Sequence, residues 1–409
     1  MTRGHPQGEH SERSGGPSGE RSGGSSNGWR SLWPRFRDRV LEPFRAGQAM
    51  GLPARRWRLV QVEASLACNL RCVMCPWVDI RKAAGEAGAL MRPETWAAIR
   101  EVLPDIGSVD FTGGGETLLQ PKLEQWVADA TNAGCETGFL TNALVLTEDR
   151  LRALLDADLT WLGVSMDGAT AKVYEGIRCG SSFERVCVNL ERVGKLRGEG
   201  GPKTLIQCVV MRSNVHECAA LVRLAAELGV DEVAFKQCDV IRGDNGKGLG
   251  VYSTEDNEVL GAQMALAEAR REGRRLGVQI YEFSLTPMEL PVCEQDPRSS
   301  MFVRHDGHVS PCINMAYGGL TNFLGRDAVM PSVHYDRLPQ DSLGEAWESE
   351  TCRYFRDLFR LRMEAYERAV LDTMAGSAPL DRHRILATGC RAMPQAADAC
   401  RVCHYLYGI

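Results

Sequence analysis

A chain of 409 residues has room for two domains or for one large α/β domain with an appendage. Its formal charge of −5, with 25% charged residues, argues against a broad basic surface for nucleic acid, and no apolar run approaches the roughly 20 residues that a membrane span needs. Fifteen cysteines without the apolar core of a secretory signal are read as thiols in a reducing cytoplasm, where metal ligation is commoner than disulfides.

Residues 1–28 consist mainly of Gly, Ser, Arg, His and Glu, too polar to offset the entropy of ordering, and are expected to be a disordered tail. In residues 29–50, Trp29, Leu32, Trp33, Phe36, Val40, Leu41 and Phe44 recur at helical spacing among five arginines. That pattern predicts a helical extension capping one end of the following domain, with a membrane-surface helix as the alternative.

Leu59-Val60-Gln61-Val62-Glu63 reads as a buried strand, and Cys68, Cys72 and Cys75 follow it at the spacing C-x3-C-x2-C. Thiolates suit zinc or iron–sulfur clusters, and a structural zinc site normally takes four ligands. Three close cysteines leave one metal position open, as a cluster needs if it is to pass an electron directly to a bound molecule.

A polar connection leads to Met91, and Pro93 opens a helix through Leu103. Strands are then expected at 108–112, 136–141, 161–166, 204–210, 232–236 and 278–283. Helices are expected at 122–133, 148–155, 183–196, 215–228 and 256–276. This alternation predicts a parallel sheet covered by helices, with active-site groups at the C-terminal ends of the strands.

Several strand ends carry candidate ligand-binding groups. Gly113-Gly114-Gly115-Glu116 permits a sharp turn and close backbone approach. Ser165 and Asp167 end the fourth strand and suit either a ligand or a helix cap. Arg178 offers a fork for a carboxylate or a surface salt bridge. Gln207 and Val209 alternate toward one face, Asn214 reads as a helix cap, and Lys236 and Cys238 end the sixth strand.

Near the C-terminus, Cys293 and Cys312 are arranged as C-x13-G-x4-C around Gly307, and Cys390, Cys400 and Cys403 as C-x9-C-x2-C. Met301–Pro311 reads as a β-hairpin turning at Asp306-Gly307, with His305 and His308 expected in solvent and a ligand role as the alternative. Residues 360–386 read as one or two amphipathic helices.

The cysteine triplet after a strand, Trp77 two positions beyond it, and the Gly-Gly-Gly-Glu turn resemble the radical S-adenosylmethionine (SAM) enzymes. The resemblance implies an α/β fold: a partial (β/α)6 TIM-like barrel over residues 51–285 with a small C-terminal Cys-rich α+β extension over 286–409. Cys68, Cys72 and Cys75 would hold a [4Fe-4S] cluster whose free iron binds SAM, and reductive cleavage would give a 5′-deoxyadenosyl radical. Gly113, Gly114, Gly115 and Glu116 would receive the SAM ammonium, with Thr117 standing where the family usually has Pro. Ser165, Asp167 and Arg178 would make further SAM contacts.

The C-terminal cysteines and the Ser342–Trp347 stretch resemble the SPASM and twitch extensions. They imply one fully ligated auxiliary [4Fe-4S] cluster on Cys293, Cys312, Cys400 and Cys403, since the full SPASM cysteine set is absent. Cys390 is a substitute ligand or stands apart, and Cys352 is set aside. Four thiolates also suit zinc.

The expected activity is that of a radical SAM oxidoreductase or epimerase, abstracting hydrogen from a small-molecule substrate and drawing electrons from a flavodoxin or ferredoxin. Dehydrogenation would send a second electron to the auxiliary cluster. Epimerisation would use Cys238 or Cys179 as hydrogen donor. A small metabolite is expected because no N-terminal leader-binding domain of roughly 80 residues precedes the barrel. The alternatives are a maturase of a ribosomal peptide or protein and a non-catalytic iron–sulfur or zinc protein.

Overall fold

Along Lys203–Val210 the side chains alternate, with Thr204, Ile206, Cys208 and Val210 buried and Leu205, Gln207 and Val209 only half-buried. Ile206, Cys208 and Val210 belong to one apolar core with Leu221 and Val222 of the helix Cys218–Glu227. This period of two is what a strand with one helix-covered face and one inner face requires. The computed structural model describes residues 55–84, 89–238, 247–251, 256–375 and 382–409, so the readings for 1–28 and 29–50 lie outside the described residues.

The main sheet has the order β7-β6-β5-β4-β3-β2-β1-β8-β9. Its strands are β1 (Trp57–Val62), β2 (Ile106–Asp110), β3 (Glu136–Thr141), β4 (Trp161–Ser165), β5 (Lys203–Val210), β6 (Glu232–Gln237), β7 (Gln279–Tyr281), β8 (Ser300–Val303) and β9 (Val309–Ser310). All neighbours from β7 to β8 pair parallel, and only β9 is antiparallel to its neighbour. The fold is therefore α/β in partial-barrel form, and parallel pairing brings the C-terminal ends of β1 to β6 to a single edge.

Local chemistry sets the helix starts. Pro93 occupies the first turn of Pro93–Arg100, Thr147 caps Glu148–Asp156 by accepting from the Arg150 amide, and Ser182 caps Phe183–Leu196. Ser342 and Glu345 form a reciprocal capping box at Leu343–Glu348. Each such cap contributes about 1 kcal/mol.

Three features depart from the sequence reading. The connection after Cys75 contains a helix, Val78–Ala84. The first C-terminal helix, Glu350–Ala375, starts ten residues before Arg360, and a second spans Arg382–Ala392. The hairpin at Asp306-Gly307 is present, but its first strand, β8, also pairs with β1, in the register Leu59↔Ser300 to Val62↔Val303. All four β8 residues are buried, the pattern of a strand covered on both faces. A two-stranded sheet of β10 (Gly319–Phe323) and β11 (Arg326–Met330) stands apart from the main one. No described helix is long and apolar enough to cross a membrane.

Candidate active site

The loop after β1 carries Cys68, Cys72 and Cys75, all half-buried, across the C-terminal edge of the sheet. Its backbone is fastened on several sides. The Arg71 and Val73 amides donate to Cys179 O (3.1 Å) and Ile177 O (3.0 Å), the Glu116 amide donates to Ala67 O (2.7 Å), and Cys75 N closes a turn on Cys72 O (3.1 Å). Asn142 Nδ2 donates to Asn69 Oδ1 at 2.8 Å. The ends of β2, β3 and the segment after β4 thus hold the three thiols together.

The three glycines earn their place by contact with this loop. A Cβ on Gly113 would lie 2.3 Å from Glu63 Cγ, one on Gly114 2.7 Å from the Trp77 ring, and one on Gly115 2.3 Å from Ala67 O. Close backbone approach is as expected, with the cysteine loop as the neighbour. Glu116 is buried, and its carboxylate accepts from the Leu118 amide (3.1 Å), the Thr141 hydroxyl and the Asn142 amide (2.7 Å). It ties the glycine turn to the end of β3.

Asp167 and Arg178 come together as a buried ion pair, 2.7 Å between Nε and Oδ2, where the sequence left a surface salt bridge or a helix cap open. The Val209 amide donates to Asp167 Oδ1 at 2.7 Å. Burial disfavours the Arg178 charge, yet Asp167 and Cys72 together raise its pKa above the ordinary value. Arg178 Nη1 lies 3.9 Å from Cys72 Sγ. Burial pushes the Cys72 thiol up to about 11, and Arg178 acts against that shift.

Ser165 sits half-buried at the end of β4. Asn214 does not cap a helix with its side chain; it accepts from the Met211 amide and donates to Asp167 O and Val209 O. Cys238 is buried with Met74 of the cysteine loop, Ile177 and Met211. Cys179 is exposed, and its Sγ lies 3.7 Å from Gly176 O. Lys236 pairs with Glu294 at 2.9 Å.

Glu63, His305 and Tyr317 were not foreseen as a group. His305, expected in solvent, is 5% exposed, with Nδ1 2.7 Å from Glu63 Oε2. The Tyr317 hydroxyl donates to the same oxygen, and Gly114 N donates to Glu63 Oε1 at 2.9 Å. The Tyr317 ring meets Trp77 edge-on, with centroids 5.2 Å apart. A carboxylate directly after an apolar strand was the one signal in the sequence.

The four cysteines assigned to the auxiliary site, Cys293, Cys312, Cys400 and Cys403, line one small pocket. Burial and the neighbouring Cys312 push the Cys293 thiol up to about 12, and burial with the other three cysteines raises Cys400 well above the thiol range. Thiols that oppose one another's ionisation in a shared cavity fit a cationic metal core, which would offset that repulsion. Asn314 Nδ2 points a donor at Cys403 Sγ, 3.7 Å away.

Arg362, fully buried, donates to Pro291 O, Leu290 O and Pro394 O and pairs with Glu289, fixing the segments that precede Cys293 and Cys400. Cys390 is outside the cavity lining, with Sγ 3.4 Å from Glu289 O, and so is Cys352, buried on Glu350–Ala375.

Residues 62–225 match the family model of the radical SAM superfamily, and residues 293–369 match that of the SPASM iron-sulfur cluster-binding domain. The chain thus carries a radical SAM domain followed by a SPASM domain. A radical SAM enzyme with a SPASM domain uses a [4Fe-4S] cluster, SAM and auxiliary iron–sulfur clusters.

Among relatives, the tungsten-containing aldehyde ferredoxin oxidoreductase cofactor-modifying protein of Pyrococcus furiosus is 24% identical over 73% of this chain and 83% of its own length. A PqqA peptide cyclase of Ruegeria pomeroyi is 24% identical over 68% of this chain and 71% of its own. Among solved structures, Streptococcus suis SuiB bound to S-adenosylmethionine superposes with a TM-score of 0.57 at 14% identity, covering 82% of this chain and 74% of SuiB, a likeness of fold.

Proposed function

We propose that this radical SAM enzyme oxidises its substrate, with Cys68, Cys72 and Cys75 as ligands of the SAM-binding cluster and Cys293, Cys312, Cys400 and Cys403 as ligands of an auxiliary cluster. The observation that carries this reading is the pocket lined by all four of the latter thiols. Four protein ligands leave no open metal position, which suits a group that accepts an electron better than one that binds substrate.

When bound, the barrel cluster and SAM supply hydrogen-atom abstraction from an unactivated carbon. The chain holds the cysteine loop against the strand ends, and Gly113, Gly114, Gly115, Glu116, Ser165, Asp167 and Arg178 shape the SAM side of the barrel mouth. Cys293, Cys312, Cys400 and Cys403 would hold the group that takes up the second electron of a two-electron oxidation, the accompanying proton leaving to a base. A flavodoxin- or ferredoxin-type reductase supplies the electron that starts each turnover.

The relative named as a peptide cyclase favours a polypeptide side chain as substrate over the small metabolite expected from the sequence. Epimerisation is the second reading, with Cys238 or Cys179 returning the hydrogen atom. It is favoured by the packing of Cys238 on Met74 of the cysteine loop.

Anaerobic reconstitution tests both cluster assignments. Iron and sulfide should reach about eight each per chain and fall to about four in a Cys400→Ala, Cys403→Ala variant. With reductant and SAM the wild type should release 5′-deoxyadenosine, and Cys68→Ala should not. About four irons, unchanged by the C-terminal substitutions, would overturn the auxiliary assignment.

A further inference from the structure

Arg81 lies on the helix Val78–Ala84, just past the cysteine triplet. Its Nη1 donates to Cys75 Sγ at 3.3 Å and to Gly114 O at 3.1 Å. The next residue, Lys82, faces the other way: it is exposed and pairs with Asp79 at 3.3 Å. Arg81 is thus turned inward on a helix whose other cation is solvated.

We propose that Arg81 is a positioning residue that raises the reduction potential of the barrel cluster, a role resting on the reading of Cys68, Cys72 and Cys75 as its ligands. Reduction adds a negative charge to a thiolate-held cluster. A hydrogen bond to a ligand sulfur together with a cation a few ångströms away favours the reduced form and opposes loss of the electron.

A second arginine reaches the same loop, but its charge is balanced. Arg178, 3.9 Å from Cys72 Sγ, is ion-paired with the buried Asp167. Among the described residues no carboxylate lies within ion-pair distance of Arg81. Its charge is therefore directed at Cys75 Sγ, 3.3 Å away.

The contact with Gly114 O gives the arginine its fixed aim. Gly114 N is held by Glu63 Oε1 at 2.9 Å, so both polar groups of this residue are clamped, and the guanidinium bridges a rigid turn and the sulfur. A lysine would keep the charge but not the planar fork.

The test is a potentiometric titration of the full, anaerobically reconstituted chain followed by electron paramagnetic resonance. The barrel signal is identified as the one abolished by Cys75→Ala. In Arg81→Met the iron content should match wild type and the midpoint should fall by about 59 mV or more, a tenfold change in a one-electron equilibrium. Arg81→Lys should fall between the two.

Full iron content with an unchanged midpoint in Arg81→Met would overturn the proposal. Should that variant lose iron, Arg81→Lys decides: a lowered midpoint supports the role, and a wild-type midpoint overturns it. If Cys75→Ala abolishes no signal and loses no iron, the ligand reading beneath the proposal is overturned instead.

Discussion

The Tyr317 hydroxyl donates to the Glu63 carboxylate, joining the helix that follows Cys312 to the end of the first barrel strand. Glu63 is fully buried and also receives Gly114 N, the His305 amide and His305 Nδ1. One carboxylate therefore organises the glycine turn and the C-terminal hairpin together. Burial, and then the Glu63 charge, raise the Tyr317 phenol above its ordinary range, so it stays protonated and remains a donor.

Removing that carboxylate strands several buried donors. Glu63→Ala should cost about 3–5 kcal/mol in denaturant unfolding of the reconstituted protein. Glu63→Gln, which keeps an acceptor oxygen, should cost less. Equal stabilities for wild type and Glu63→Ala would show that the carboxylate is not the organiser.

Arg362 offers a second, separable lesion. Its guanidinium satisfies three carbonyls on the two segments leading to Cys293 and Cys400. Arg362→Met should lower reconstituted iron from about eight to about four per chain and leave SAM cleavage at the barrel intact. Iron counting alongside a 5′-deoxyadenosine assay checks this, and full iron loading in the variant would disprove it.

Two glycines provide a matched pair. A methyl on Gly115 would strike the Ala67 carbonyl 2.3 Å away, a backbone atom that cannot step aside, whereas one on Gly176 meets nothing within 4 Å. Gly115→Ala should abolish SAM cleavage and lower the thermal midpoint. Gly176→Ala, in the helix Ala171–Ile177, should leave activity unchanged and stabilise by up to about 1 kcal/mol.

Stability should also carry a pH signature from Asp110. Burial raises its pKa from 3.8 to about 6, against opposing hydrogen bonds from the Thr112 hydroxyl and amide. The folded protein then binds this proton more tightly than the unfolded chain. The contribution of Asp110 is most favourable below the unfolded value, declines as pH rises, and levels off above about 6. Asp110→Asn removes that slope and should be more stable than wild type by about 1–3 kcal/mol near pH 7.5, with little gain at pH 4. Urea melts of both proteins at the two pH values measure it, and parallel pH profiles would rule it out.

Much of the architecture was legible because it is local. Strand alternation at Lys203–Val210 and the spacing of Cys68, Cys72 and Cys75 are patterns of a few residues, and the four auxiliary cysteines were named together through the resemblance to SPASM and twitch extensions. What escaped was long-range. Glu63 and His305 lie 242 positions apart, and periodicity reports which face a residue occupies, not which distant residue shares it. Arg362 looked like one more cation on an amphipathic helix until the fold supplied its partners.

The pairing of β8 with β1 bears on how the chain acquires its shape during synthesis. Without β8, the first strand would present one whole side of unpaired amides and carbonyls, an open template for another chain. Residues that meet there are 242 positions apart, as in the contact from Arg58 to Ser300. The barrel's first-made strand must therefore wait, half-paired, until about three quarters of the protein has left the ribosome. Ending translation near residue 285 would leave a sticky, aggregation-prone intermediate in place of a smaller working enzyme.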